Sequence, residues 1–138
     1  MKTRIPAGAA AVALVAALLP VSLAGAETRE APSISPAELH ARQARSGLLV
    51  LDVRTPEEFA AGHIPGARNI PHTELPGRAL EVRGAGAEDV VVYCMRGPRA
   101  RLGEAALLEN GVRGVAHLEG GFLAWSEAKL PVEGAASD

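Results

Sequence analysis

The sequence predicts a three-layer α/β domain, with helices on both faces of a parallel sheet of about five strands. Apolar, β-branched segments alternate with capped helical segments along the chain, which is the order expected of right-handed β-α-β crossovers. The segments 48–51 and 90–93 are apolar at nearly every position, as is typical of strands that are buried on both faces. Glycine, proline and asparagine separate the segments and place the turns.

The N-terminus has the pattern of an export signal. Two basic residues precede an apolar run over 9–19, and 24–26 has the small-x-small form of a signal peptidase site. We therefore predict a signal peptide over 1–26, cleaved between Ala26 and Glu27, and a periplasmic or secreted protein. The run is short for a transmembrane helix, although retention as an N-terminal anchor is the alternative.

Composition excludes several classes of partner. Without the signal peptide, 12 basic residues face 16 acidic ones, and no basic stripe indicates nucleic acid. The single cysteine cannot form an internal disulfide, and the four histidines lack metal-ligand spacing. We expect a monomer without a metal or other cofactor, and without a membrane partner after cleavage.

One domain is expected over 33–131, between a short arm at 27–32 and a flexible tail at 132–138. An edge strand at 33–34 opens the domain. Ser35 and Glu38 form a capping-box pattern for a first helix that is expected to reach about Arg45.

The middle of the domain repeats this order. Strand 48–51 leads to Asp52, and Thr55 and Glu58 then predict a second capping box for a short helix that ends before Gly62. A short strand at 68–70 follows.

The second half of the domain alternates in the same way. A helix is expected over 75–82, before the strand at 90–93. A helix at 99–109, a strand at 115–118 and a last helix at 121–128 complete the sheet and its covering layers.

The only cysteine, Cys94, follows the strand at 90–93 and precedes a Gly-Pro loop and a helix N-terminus. Backbone N–H groups of residues 95–99 that converge on the sulfur would stabilise a thiolate, as would the positive end of the helix. We interpret Cys94 as a catalytic nucleophile. A buried structural cysteine is the alternative.

Four motifs in order resemble those of rhodanese-like domains. They are Leu-Asp-Val-Arg at 51–54 with Glu-Glu-Phe at 57–59, Gly-His-Ile-Pro-Gly-Ala at 62–67, the loop Cys-Met-Arg-Gly-Pro-Arg-Ala at 94–100, and Gly-Gly-Phe-Leu-Ala-Trp at 120–125. The resemblance covers about 33–131, and small, exported, single-domain bacterial rhodaneses are the nearest subgroup. It implies the rhodanese-like form of the α/β fold.

The resemblance also implies a thiosulfate sulfurtransferase. The thiolate of Cys94 would take the outer sulfur of thiosulfate or a similar donor, forming a cysteine persulfide. A thiophilic acceptor, such as cyanide or a thiol, would then remove that sulfur.

The loop residues Met95, Arg96, Gly97, Pro98 and Arg99 are expected to shape this site. Arg96 projects from the loop and is the candidate for binding the donor's anionic oxygens, with a solvated charge as the alternative. Gly97 supplies backbone freedom, and Pro98 stiffens the loop. Thiosulfate-using relatives often carry a basic residue directly after the cysteine, where this chain has Met95, so donor preference stays open.

Two charged pairs are predicted around the loop. Arg99 is expected to fix the loop by pairing with Asp52, because both lie at the carboxyl edge of the sheet. Arg54 is interpreted as part of a structural ion pair with Glu57 or Glu58, with a role as a site residue as the alternative.

Two other functions remain as alternatives. A Cys-dependent phosphatase or arsenate reductase would carry a Cys-x5-Arg loop, whereas only four residues separate Cys94 from Arg99. A persulfide carrier with little turnover, delivering sulfur to a partner, is not separated from an enzyme by sequence.

Overall fold

The computed structural model describes residues 30–134, together with residues 3, 4 and 8. The predicted cleavage point after Ala26, the signal peptide apart from residues 3, 4 and 8, and the first half of the predicted arm, 27–29, lie outside the described residues. So does the end of the predicted tail, 135–138. Among the described residues, no helix has the length and apolar character needed to cross a membrane.

Ten elements follow one another in alternation. They are β1 (Ser33–Ile34), α1 (Pro36–Arg42), β2 (Leu48–Asp52), α2 (Pro56–Ala61), β3 (Arg68–Asn69), α3 (Leu75–Gly84), β4 (Asp89–Tyr93), α4 (Pro98–Glu109), β5 (Val115–Leu118) and α5 (Gly121–Glu127). Each element lies where the sequence predicts one.

The five strands form one sheet in the order β1-β5-β4-β2-β3, and every neighbouring pair is parallel. One apolar core on the α3 and α4 side includes Leu75, Ala79 and Leu107. The core on the opposite side is built with Leu39 of α1 and Trp125 of α5. The predicted α/β class, with a five-stranded parallel sheet covered on both faces, is confirmed.

Alternation along β4 decides which way the cysteine faces. Val90 and Val92 belong to the core under α3 and α4, whereas Val91 and Tyr93 belong to the opposite core. Cys94 joins the α3 and α4 core, with an exposed fraction of 1%. The thiol is therefore held beneath the beginning of α4.

Two helices differ from the expected bounds by two residues or more. Helix α1 ends at Arg42 rather than near Arg45, and the Gln43 side chain donates a hydrogen bond to the Pro65 carbonyl at 3.1 Å. Helix α3 continues two residues beyond the expected Val82, to Gly84.

The two capping patterns also differ in outcome. The Ser35 side chain accepts a hydrogen bond from the Glu38 N–H. The Glu38 carboxylate pairs with Arg42 one turn later, so it does not bond back to the Ser35 N–H and the capping box is incomplete. Thr55 and Glu58 form both halves of theirs.

Candidate active site

The loop after β4 places a backbone donor on the thiol. The Gly97 N–H donates a hydrogen bond to Cys94 Sγ at 3.0 Å. Gly97 is also the N-cap of α4, with a φ of +150°, a value that glycine adopts far more readily than residues with a Cβ. The sulfur thus lies at the positive end of a 12-residue helix, where negative charge is favoured.

The beginning of α5 holds the same loop from the other side. The Phe122 N–H donates to the Cys94 carbonyl at 2.8 Å, and the Leu123 N–H donates to the Met95 carbonyl at 3.0 Å. These two bonds fix both carbonyl groups toward α5. The first turn of α5 is therefore part of the site's framework.

Gly121 makes that contact possible. A Cβ at Gly121 would lie 2.5 Å from the Cys94 oxygen and 2.7 Å from the Met95 oxygen, and its φ is +62°. The sequence contains this glycine in a motif, but nothing in the local pattern shows that it touches the cysteine backbone. We count it as a site residue that sequence reasoning missed.

The expected pair between Arg99 and Asp52 is wrong. Arg99 instead makes a bidentate ion pair with Glu58, at 2.6 Å from Nη1 to Oε1 and 3.0 Å from Nη2 to Oε2. Glu58 lies in the first turn of α2, and its own capping box orients it toward the loop. The cation of the loop is thus neutralised by a carboxylate in the first turn of α2 rather than by the carboxylate at the end of β2.

Asp52 is engaged by Arg54, so the expected pairing of Arg54 with Glu57 or Glu58 is also wrong. Arg54 Nε lies 3.1 Å from both carboxylate oxygens of Asp52, and Nη2 lies 2.6 Å from Oδ2. The exposed fractions are 1% and 0%. Residues two apart in an extended segment face the same side, which explains the pairing.

The buried pair of Arg54 and Asp52 also contacts two segments beside the loop. Arg54 Nη2 also donates to the Gly62 carbonyl at 2.7 Å, and its guanidinium lies 4.3 Å from the centre of the Phe122 ring. Although burial lowers the pKa of Arg54, the hydrogen bond and charge of Asp52 raise it overall. The guanidinium therefore stays charged.

Tyr93 anchors the segment that follows α2. Its hydroxyl accepts the Ile64 N–H at 3.1 Å. Burial, together with the charge of Asp52 and a hydrogen bond with it, raises the pKa of Tyr93, so the phenol stays protonated at neutral pH. Its place is structural rather than that of an acid or base.

The remaining loop side chains differ in exposure. Arg96 and Pro98 are exposed, and Met95 is half-buried. A pocket of about 190 Å³ adjoins the loop at Met95. It is lined by Arg54, Glu58, Ala61, Gly62, Met95 and Phe122.

A second buried ionic cluster lies behind the loop. His117 Nδ1 lies 2.5 Å from Glu104 Oε1, and Arg101 Nη1 lies 3.2 Å from Glu104 Oε2. Burial raises the pKa of Glu104, and His117 and Arg101 oppose that rise. A Cβ on Gly97 would lie 3.6 Å from His117 Nε2, so this cluster backs the turn that binds the sulfur. Across the described residues, no three acidic, histidine or cysteine side chains group as metal ligands.

The ion pair between Arg99 and Glu58 predicts a specific pH dependence. The hydrogen bond from Arg99 is the main reason that the pKa of Glu58 falls from 4.5 to about 2. An acid with a lowered pKa adds stability that is complete above its usual value and is lost as the pH falls toward the lowered one. We expect wild type to lose about 1–2 kcal/mol more free energy of unfolding than Glu58→Gln between pH 6 and pH 2.

Urea unfolding at a series of pH values measures this difference. Glu57→Gln, on the same helical turn but exposed, is the matched control and should follow wild type. Parallel pH profiles for wild type and Glu58→Gln would contradict the pairing.

Known proteins resemble both the sequence and the fold. The family model described as rhodanese-like domain matches residues 35–128. A sulfurtransferase of Allochromatium vinosum is 39% identical over 85 residues, covering 62% of this chain and 78% of that protein. The HTH-type transcriptional regulator Rv0324 of Mycobacterium tuberculosis is 39% identical over 120 residues, covering 84% of this chain.

The solved structure of thiosulfate sulfurtransferase from Pseudomonas aeruginosa matches with a TM-score of 0.69 and 34% identity. It covers 78% of this chain, which corresponds to 20% of that protein. Several relatives are longer than this chain, which spans 52% of the mycobacterial regulator's length. The same domain therefore occurs in proteins of different kinds, among them a transcriptional regulator and sulfurtransferases.

Proposed function

We propose that this chain, which belongs to the rhodanese-like domain family, is a sulfurtransferase that carries sulfane sulfur on Cys94. The observation that carries the proposal is the hydrogen bond from the Gly97 N–H to Cys94 Sγ at 3.0 Å. A donor at this position stabilises a thiolate, and the same loop can hold the terminal sulfur of a persulfide. Sulfurtransferases among the relatives support the same reaction class.

The proposed cycle has two transfers, each balanced in atoms and charge. The Cys94 thiolate attacks the outer sulfur of thiosulfate, the new S–S bond forms, and the old S–S bond breaks with its electron pair leaving on sulfite. Cyanide then attacks the terminal sulfur, thiocyanate leaves, and the thiolate is restored. Neither step needs a general base, because no proton moves when both nucleophiles are anions.

The position of Arg99 argues against phosphate chemistry. A Cys-dependent phosphatase needs its loop arginine on the substrate oxyanion, whereas both terminal nitrogens of Arg99 bond to Glu58. The loop is also one residue shorter than a Cys-x5-Arg loop. Sulfane sulfur is smaller than phosphate and suits the shorter loop.

A low-turnover persulfide carrier is the second candidate, and the buried thiol favours it. Cys94 is 1% exposed, so a persulfide there would be shielded from adventitious thiols. Carrier and enzyme share the loading step. They differ in how fast a small acceptor removes the sulfur.

Intact-protein mass spectrometry tests the proposal. After exposure to thiosulfate, we expect the mass to rise by one sulfur atom on Cys94 and to return to its starting value when cyanide is added. Loading that cyanide does not reverse would support the carrier. No loading from any sulfane donor would refute both candidates.

We extend the proposal to the cellular setting. A leader peptide at 1–26 would direct the protein to the periplasm, where it would act as a monomer on small sulfur compounds. Fractionation of cells that produce the full chain, with N-terminal sequencing, tests for a mature N-terminus at Glu27.

A further inference from the structure

We infer that His117 is a positioning residue for the sulfur site, held by Glu104 so that a proton on its other ring nitrogen favours the anionic form of the Cys94 sulfur. The inference rests on the proposed role of Cys94 as the nucleophile and adds a proton-dependent control of the same site. The reactivity of Cys94 then depends on two protons, its own and that of His117.

The sheet places His117 beside the cysteine. In the parallel register of β4 and β5, Val92 pairs with His117. Cys94 lies two residues after Val92, and both belong to the core under α3 and α4. His117 is only 7% exposed, and its ring lies on this same face of the sheet, where it meets Glu104 of α4.

Glu104 fixes which nitrogen of the ring is available. Its side chain is 2% exposed, and its Oε1 lies 2.5 Å from His117 Nδ1. Arg101 Nη1 binds the other carboxylate oxygen at 3.2 Å and supports the ionised form, although burial raises the pKa of Glu104. Because an ionised carboxylate only accepts hydrogen bonds, Nδ1 carries a proton in this pair. The nitrogen that gains or loses the second proton is therefore Nε2.

The free nitrogen faces the turn that binds the sulfur. A Cβ on Gly97 would lie 3.6 Å from His117 Nε2 and 3.7 Å from Cε1, and the Gly97 N–H donates to Cys94 Sγ at 3.0 Å. Nε2 donates to and accepts from no group among residues 30–134. Since no buried side-chain nitrogen in that part of the chain lacks a partner, Nε2 reaches solvent, with which it exchanges its proton.

A proton on Nε2 changes the charge of the cluster next to the sulfur. The charges of Arg101 and Glu104 cancel, so the cluster is neutral when the ring of His117 is neutral. With the second proton the cluster is a monocation, and a cation nearby favours an anionic sulfur, whether thiolate or persulfide. The charged neighbours along the chain, Glu119 after β5 and Arg96 before Gly97, are exposed and screened by water.

Alkylation by iodoacetamide measures the reactivity of Cys94 without a sulfur donor, because the chain has no other cysteine. The thiolate attacks the carbon that carries iodine, and iodide leaves. His117→Asn keeps an N–H donor close to the place of Nδ1 but cannot take a second proton. We expect wild type to react about three- to tenfold faster than His117→Asn at pH 6, and within about twofold of it at pH 9, where an imidazole has lost its second proton. A ratio of rates that is the same at every pH would make His117 a packing residue and overturn the inference.

Two further variants complete the comparison. His40→Asn is the matched control and should follow wild type, because His40 is exposed on α1, on the other side of the sheet. Glu104→Gln still accepts the Nδ1–H of His117 but lacks the charge that favours a second proton. The proton-dependent part of its profile should therefore move to lower pH, and an unchanged profile would remove Glu104 from the inference.

Linkage gives a test that needs no change at His117. If a proton on His117 favours the sulfur anion, the anion favours that proton by the same factor. In NMR spectra, the ring signal of His117 should titrate at a lower pH in Cys94→Ser, whose hydroxyl stays neutral, than in wild type. Equal midpoints would overturn the inference. The failure of the wider proposal is distinguishable, because Cys94 would then load no sulfur from any donor, whatever its alkylation profile.

Discussion

Replacing Cys94 with Ala is expected to abolish sulfur transfer, with thiocyanate production falling to the rate without enzyme. Both proposed steps form or break a bond to Sγ, and Cys94 is the only cysteine in the chain. No other thiolate can take over its role. Thiocyanate assays and intact mass after donor exposure measure the loss. Retention of full turnover would contradict the assignment of Cys94 as the nucleophile.

Cys94→Ser separates the chemistry from the packing. The serine hydroxyl can accept the Gly97 N–H in place of the sulfur, but it cannot form a persulfide. We expect both variants to fold, with a change of about 1 kcal/mol in the free energy of unfolding, because each substitution removes or exchanges a single heavy atom. Loss of activity with retained cooperative unfolding would therefore be a loss of the nucleophile.

The order of elements could be predicted because local signals and packing agree. The segment at 90–93 has a local preference for strand and also fills the centre of the sheet between β2 and β5. Thr55 and Glu58 likewise form the capping box that their spacing predicts. Such features depend on neighbours in sequence, which periodicity and capping rules describe.

The ion pairs could not be predicted in the same way. Asp52 and Arg99 do lie near one edge of the sheet, but nearness leaves the choice of partner open. Arg54 is two residues from Asp52 and reaches it at no cost in loop closure. Arg99 is then left for Glu58, 41 residues away, whose approach depends on how α2 packs.

The contact of Gly121 with the loop also depends on tertiary packing and could not be predicted from the local sequence. Two glycines before a helix indicate a turn, but they do not say which backbone lies against them. Only the fold shows that the first turn of α5 reaches the carbonyls of Cys94 and Met95. The predicted site was thus a loop at the beginning of α4, whereas the structure shows that the beginning of α5 holds the same loop from the other side.

Gly121→Ala is therefore expected to damage the site although the residue carries no reactive group. The new Cβ would lie 2.5 Å from the Cys94 oxygen, and φ of +62° is unfavourable for alanine. The loop must shift or α5 must withdraw, and either change moves Sγ from the Gly97 N–H. We expect a loss of about 2–4 kcal/mol in the free energy of unfolding and roughly 100-fold slower persulfide formation.

Gly77→Ala provides the matched control, because Gly77 lies in α3 and a Cβ there would meet no heavy atom within 4 Å. Alanine favours helix and restricts the unfolded chain, so this variant should be as stable as wild type or more stable by up to about 1 kcal/mol. Both variants are compared by urea unfolding and by the rate of sulfur loading from one donor. If Gly121→Ala loads sulfur as fast as Gly77→Ala, the position of Sγ does not depend on the α5 contact, and the loop alone holds the nucleophile.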